Sequence, residues 1–406
     1  MNGEIQIRRR HNVRRLAFVT IAAVAVFLLL KPESASGGGD GRHSPVARRL
    51  AREPQTRIPD AGGRRATLQR IVRRLVAGGA PGALAFVRTP AGAAGVAAGY
   101  ADLRTRTPMA ATDGFRIASV TKTLVATAVL QLEAEHRLDI DDRVERWLPG
   151  IVPNGRAITI RELLNHTSGL FDYGEDDAHT QAVIADPGRR WSPHELLSVA
   201  FAHPPLFRPS TSWFYSNTNY VVLGLVVEAV TGRPLGQELQ ARIVDRLRLH
   251  ATSFDIDAAI HDPFAHGYVG PHPGLPIAAG TLLDITALLS PSFGWGAGNM
   301  SSNAADVTRF FVALLRGQLL PRAQLAEMKT GSPANGNYGL GLKKTYTSCG
   351  VAYGHEGDFP GYRNAVWITR DARRAADVMV NIDETHVSWD RIEAAAQAAL
   401  CSASRR

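Results

Sequence analysis

The sequence runs to 406 residues, 45% hydrophobic and 7% aromatic, enough chain to bury one large core or two interlocked ones and to build a sizeable enzyme. A net charge of +9 invites a nucleic-acid reading, but residues 1–65 hold thirteen Arg or Lys against five Asp or Glu, leaving 33 against 32 in the remainder. The basic balance therefore belongs to the leader, and the nearly neutral remainder argues against nucleic acid as a partner.

The leader opens with Arg8, Arg9, Arg10, Arg14 and Arg15, followed by fifteen uncharged residues from Leu16 to Leu30. That length suits the apolar part of a signal peptide better than a full membrane span of about twenty residues. Ser34-Ala35-Ser36 offers small residues for cleavage, whereas Lys31, Pro32 and Glu33 make a poor approach to such a site. Residues 1–36 thus read as a signal peptide or an uncleaved signal anchor, and the protein as secreted or extracytoplasmic, touching a membrane only through residues 16–30. Residues 37–65, rich in Gly, Pro and Arg, read as a flexible basic linker, and 66–406 as the folded domain.

From Ala66 to Val76 apolar positions recur at helical spacing, and Gly82–Val87 and Gly92–Tyr100 read as two strands joined by a turn. A buried helix follows at Phe115–Leu132, then the segments Leu138–Leu148 and Ile158–Leu170 and helical stretches near 193–202, 218–231 and 235–248. After a region of low periodicity from 251 to 297 come a helix at Ala304–Leu315, strands at Tyr338–Leu342, Val351–Gly354, Arg363–Ile368 and Ala375–Asn381, and a last helix at Trp389–Ala399. Strands at both ends and helices between them predict an α/β (α+β) fold, an antiparallel sheet built from the two termini and flanked by helices, with an inserted, mostly helical lobe.

Within the buried helix, Ser119 and Lys122 are three residues apart and so lie on one side of its first turn, close enough for the amine to take the hydroxyl proton. The helix N-terminus adds unpaired NH groups where an oxyanion would form. A lone Ser-x-x-Lys recurs by chance in a chain this long, and a lysine snorkelling from a helix end is the bland alternative. Composition sharpens the pattern, because only five of the forty-six basic residues are lysine, and arginine could not release a proton as a desolvated lysine can.

A second constellation is Tyr215-Ser216-Asn217, just before the helix near 218–231. A phenol beside a lysine is expected to hold a depressed pKa and act as general base, while Asn217 can donate to a substrate carbonyl and accept from Lys122. A third is His355-Glu356-Gly357 at the end of a strand, where Gly357 lets a substrate backbone approach and the Asp358 NH can join that of Ser119 as a second oxyanion donor. Tyr362-Arg363-Asn364 and His272-Pro273-Gly274 repeat these short patterns and are read as decoys.

Taken together and in this order, these residues resemble the serine β-lactamase and penicillin-binding protein superfamily, closest to secreted D-alanyl-D-alanine carboxypeptidases and class C β-lactamase-like hydrolases. The resemblance runs from about Ala66 to Cys401 and includes Leu164 to Leu170, Tyr215 to Tyr220, Tyr338 to Leu342 and Gly354 to Gly357. It implies a β-lactamase/transpeptidase-like fold with Ser119 as acylated nucleophile, Lys122 as its activating partner and Tyr215 as general base and acid. It further implies Asn217 as a substrate-amide contact, His355 as an electrostatic partner of the tyrosine, and a structural role for His166. It also implies that Lys343 binds the terminal carboxylate of a peptide. Here Glu356 and Asp358 stand close to that place and would repel such a terminus unless they point away or pair with Lys343 or Arg363.

The two cysteines, Cys349 and Cys401, have counterparts in those carboxypeptidases, and a disulfide is expected in an exported domain, two unpaired thiols being the alternative. The expected activity is an acyl-enzyme serine hydrolase, a D-alanyl-D-alanine carboxypeptidase on cell-wall peptides, with an esterase or class C-like β-lactamase, or a non-catalytic penicillin- or peptidoglycan-binding protein, as alternatives. No cofactor, no metal and a monomer are expected, with a cell-wall peptide, small ester or β-lactam as the molecule bound.

Overall fold

The computed structural model describes residues 61–260, 262–271, 277–383 and 386–402. The leader, the linker up to residue 60 and the pattern at His272 lie outside them. Helix α1 (Ala61–Ala77) begins five residues earlier than its periodicity predicts, so residues 61–65 are helical and not linker. The glycine pair at 62–63 and the two arginines after it hide the pattern that Leu68, Val72 and Leu75 make plain as one buried stripe.

The sheet is seven-stranded and antiparallel. It comprises β1 (Gly82–Thr89), β2 (Gly92–Asp102), β3 (Thr107–Pro108), β4 (Lys343–Thr347), β5 (Gly350–Phe359), β6 (Tyr362–Thr369) and β7 (Ala375–Val380) in the order β3-β2-β1-β7-β6-β5-β4. The termini meet at its centre, where β1 pairs with β7 in the register Leu84 opposite Met379. Every residue of β7 is buried, as a strand covered on both faces requires. One face packs on α1 and on α5 (Trp389–Ser402) through Leu68, Val72, Ala365, Trp367, Ile392 and Leu400. The other meets the inserted helices, among them α2 (Thr121–Ala134), α3 (Asn217–Thr231) and α4 (Ala304–Leu315).

Two strand expectations change. Tyr338–Leu342 is not a strand, because Gly341 takes φ +69° and donates its NH to Leu164 O while Gly339 closes a turn on Leu342 O. The edge strand is β4, beginning at Lys343. The predicted Val351–Gly354 strand extends to Phe359, and since β4 pairs with it only from Gly350 to Gly354, no described strand covers its outer edge from His355 onward.

Cys349, before β5, and Cys401, near the end of α5, form a disulfide with their Cα atoms 5.5 Å apart. The 52-residue separation gives ~4 kcal/mol of stabilisation in the chain-entropy description. Alkylation of the unreduced protein is expected to find no free thiol; two modified cysteines would contradict the pairing.

Candidate active site

The turn that bears Ser119 precedes α2. A short 3-10 turn, Ala118–Val120, leads into that helix, and Ala118 holds φ +48°, an uncommon conformation for a residue with a side chain and a place where strain is stored. Every residue from Thr121 to Leu132 is buried, and Lys122 is wholly inaccessible, which removes the snorkelling alternative.

The Lys122 Nζ lies 3.0 Å from Ser119 Oγ, 2.7 Å from Asn217 Oδ1 and 2.7 Å from the Ala297 carbonyl oxygen. Burial, partly offset by the Asp172 carboxylate, brings its pKa down to about 7. The two carbonyl oxygens can only accept. A neutral amine therefore spends both hydrogens on them and turns its lone pair toward the Ser119 hydroxyl, the arrangement a general base needs.

Asn217 opens α3, and its amide nitrogen donates to Asp172 Oδ2 at 3.0 Å. Asp172 also accepts from the Gly174 NH at 3.0 Å, and burial raises its pKa. Lysine and carboxylic acid, bridged by one asparagine, are thus each pushed toward neutrality by the same desolvation.

Tyr215 differs from expectation. Lys122 Nζ sits 4.9 Å from its ring centroid, but burial pushes the phenol well above its usual pKa, and a hydrogen bond with the Ser119 hydroxyl offsets this only in part. A buried phenolate would lose hydration that this site does not replace, so burial favours the protonated Tyr215 hydroxyl and, by the same cause, the neutral Lys122 amine.

The third constellation comes from β5. A Cβ on Gly357 would overlap the Ile117 carbonyl oxygen and Asn364 Oδ1, so glycine is what lets this strand lie against the turn that carries Ser119. His355 is buried, and burial together with Lys343 keeps its pKa well below the usual imidazole range. It is a neutral ring hydrogen-bonded to the Tyr338 hydroxyl at 3.0 Å, not a cation beside Tyr215. The Tyr215 and His355 ring centroids lie 6.4 Å apart.

Both acidic side chains are paired. Glu356 forms an ion pair with Lys343, and Asp358 lies 3.4 Å from Arg363 Nε. The repulsion expected from two free carboxylates is replaced by a different constraint: the cation that would hold a terminal carboxylate already has a carboxylate partner.

These elements enclose a cavity of about 790 Å³ whose lining includes Ser119, Tyr215, Asn217, Lys343, His355 and Glu356. Asp358 also lines it, as do Glu175, Asp390 and Glu393, while Lys122 lies behind the wall. His166 is buried, its ring 4.4 Å from that of Tyr215, and the Tyr362-Arg363-Asn364 copy lies within β6, apart from the lining. Among the described residues no group of three or more His, Cys, Asp or Glu could hold a metal ion. Sequence reasoning missed Asp172, the Ala297 carbonyl and Tyr338. Tyr338 falls in a stretch that resembles the superfamily, but reading that stretch as a strand concealed its role; the other two carry no local signal.

Residues 68–400 match the family described as Beta-lactamase. Among curated proteins the chain is similar to penicillin-binding protein 4* of Bacillus subtilis (strain 168), 27% identical over 302 residues, which make up 70% of this chain and 64% of that protein, less than two thirds of its length. Among solved structures it is similar to a D-stereospecific amidohydrolase from Streptomyces sp., with 38% identity and a TM-score of 0.74 over 82% of this chain and 98% of the other. It is also similar to D-amino acid amidase from Ochrobactrum anthropi SV3, with 26% identity and a TM-score of 0.74 over 84% and 98% of the two chains.

Proposed function

This chain belongs to the beta-lactamase family, and from that premise we propose that it is an exported serine hydrolase that acylates Ser119 with a D-amino acyl group and expels a leaving group without a carboxylate. Neutral Lys122 takes the Ser119 proton, the NH groups of Ser119 and Asp358 receive the oxyanion, and the Tyr215 hydroxyl, hydrogen-bonded to Ser119, relays that proton from the Lys122 ammonium to the departing amine or alkoxide, so that Tyr215 ends protonated and Lys122 neutral. Water then releases the acyl group by the reverse proton path. The D-configuration draws support from the similarity to the D-stereospecific amidohydrolase and the D-amino acid amidase.

The observation that carries the leaving-group preference is the Lys343 to Glu356 ion pair. A substrate carboxylate would have to displace Glu356, and would do so in a cavity that Glu175, Asp390 and Glu393 also line, with Lys344 as the other lysine of the wall. Amides and esters escape that competition. The D-alanyl-D-alanine carboxypeptidase reading keeps one specific support, that Lys343 is 31% exposed and so within reach of ligand, beside the similarity to a penicillin-binding protein.

The test compares kcat/KM for D-phenylalanine amide and its methyl ester with that for a peptide ending in D-alanyl-D-alanine, in wild type and Glu356→Thr. Wild type is expected to prefer the amide and ester. Freeing Lys343 is expected to raise the peptide rate ten- to hundredfold relative to the amide, as a charge-assisted hydrogen bond of about 1.5–3 kcal/mol implies. Peptide hydrolysis by wild type that equals amide hydrolysis, with an unchanged ratio in the variant, would favour the carboxypeptidase.

A further inference from the structure

Behind Tyr215 the hydrogen-bond donors and acceptors leave one arrangement of protons for two neutral histidines. His166 Nδ1 lies 3.2 Å from the Ser216 backbone NH, which can only donate. It also lies 3.1 Å from Asn219 Nδ2, whose amide is oriented by the Ser168 hydroxyl on Asn219 Oδ1 at 2.6 Å. Nδ1 therefore holds a lone pair and Nε2 holds the hydrogen, directed at the Tyr338 oxygen 3.2 Å away. At the other end His355 Nδ1 lies 2.6 Å from the Glu356 carbonyl oxygen, which can only accept, so this nitrogen carries the hydrogen. His355 Nε2 is then an acceptor, 3.0 Å from the Tyr338 hydroxyl, and takes the single phenolic proton in competition with the Tyr220 hydroxyl oxygen, which itself donates to the Leu164 carbonyl.

We propose that Tyr338 is a positioning residue, which accepts from His166 and donates to His355 and so fixes the imidazole in the cavity wall as a neutral acceptor. This rests on reading the cavity as a serine acyl-transfer site. The relay joins the helical lobe, through His166, to β5 of the sheet, through His355. All three side chains are buried, and His166 holds a left-handed φ of +63°, with the Phe214 NH bonded to its carbonyl.

Neutrality matters because of what surrounds the rings. Lys122 from α2 and Lys343 from β4 face both histidines, and Tyr215, Tyr220 and the Glu356 carboxylate complete the set of titratable neighbours. Burial is the first cause holding both imidazoles well below their usual pKa, and the two lysines add to it. The hydrogen bond donated to His355 Nε2 adds to the stabilisation of the neutral ring and holds its orientation, while burial and the Glu356 carbonyl act on the ring with or without it. An imidazolium there would make Lys122 a weaker base, since the proton leaving Ser119 would arrive beside a second cation.

The test has two readouts. Tyr338→Phe keeps the ring and removes both hydrogen bonds, and its Ser119 acylation by a β-lactam or fluorophosphonate is expected to fall about tenfold. Histidine 15N NMR of the whole chain is expected to show His355 as the neutral Nδ1-H tautomer in wild type near pH 7, and its Nε2 resonance shifted downfield, as an acceptor nitrogen without a donor, in the variant. An acylation loss with an unchanged histidine spectrum would reduce Tyr338 to a packing residue and overturn the proposal. Should the variant not fold, the wild-type spectrum decides, because an Nε2-H tautomer or an imidazolium at His355 is incompatible with the relay. Absence of any label on wild-type Ser119 would instead count against the acyl-transfer reading, leaving the tautomer measurement to judge the relay on its own.

Discussion

Lys122→Arg is expected to lower the rate of Ser119 acylation by about 10³-fold or more, although it preserves a positive charge. The amine is enclosed by Ser119 Oγ, Asn217 Oδ1 and the Ala297 carbonyl, and only a group that can shed its proton presents a lone pair to the hydroxyl. Lys122→Met, uncharged and of similar length, should fall to the same level and guards against a guanidinium that merely fails to fit. Mass spectrometry after incubation with penicillin or a fluorophosphonate measures the effect as the rate of appearance of one label on Ser119. Near-normal labelling in the arginine variant would show that the lysine serves as a fixed cation. In wild type the same assay should display an acid limb. Burial brings the Lys122 pKa down to about 7, so acylation should rise as pH increases through that region and plateau above it. A rate flat from pH 5 to 9 would assign the base role elsewhere.

Gly357→Ala is expected to reduce kcat/KM about a hundredfold or more and to cost ~1–3 kcal/mol in stability. The added methyl would enter the space of the Ile117 carbonyl oxygen and Asn364 Oδ1, so either β5 retreats or the turn bearing Ser119 shifts. Both responses separate the Ser119 and Asp358 NH groups from a common oxyanion. Gly336→Ala is the control, since a Cβ there meets nothing within 4 Å. Thermal unfolding and kcat/KM on D-phenylalanine methyl ester, measured in both variants, check the prediction. Unchanged activity in Gly357→Ala would mean that β5 does not form the oxyanion wall.

Much of this was legible in the chain. The buried stretch after Ser119, with Lys122 one turn on, fixed a reactive pair on one helix side, because three-residue spacing on a helix is a local geometry. Strand-like segments at both ends and helices between them were enough to expect a sheet made by the two termini, and β1 does pair with β7. Tyr338–Leu342 misled because hydrophobic alternation cannot show that Gly341 is drawn into φ +69° by the Leu164 carbonyl from a distant segment. Asp172 and Ala297 were invisible for a related reason. Each acts on Lys122 from far along the chain, and nothing in their own neighbourhoods marks them.

What the sequence determined by itself is therefore the identity and local order of the candidate groups: a serine and lysine on one helical turn, a Tyr-x-Asn before a second helix, and a His-x-Gly on a strand. Their protonation was decided only by tertiary structure. Burial brings Lys122 down to about 7, drives Tyr215 up and keeps His355 neutral, while the approach of β4 to β5 joins Lys343 to Glu356. The physical reason is that spacing along a chain fixes which side chains share a turn, whereas the free energy of a charge depends on all the matter that replaces water around it.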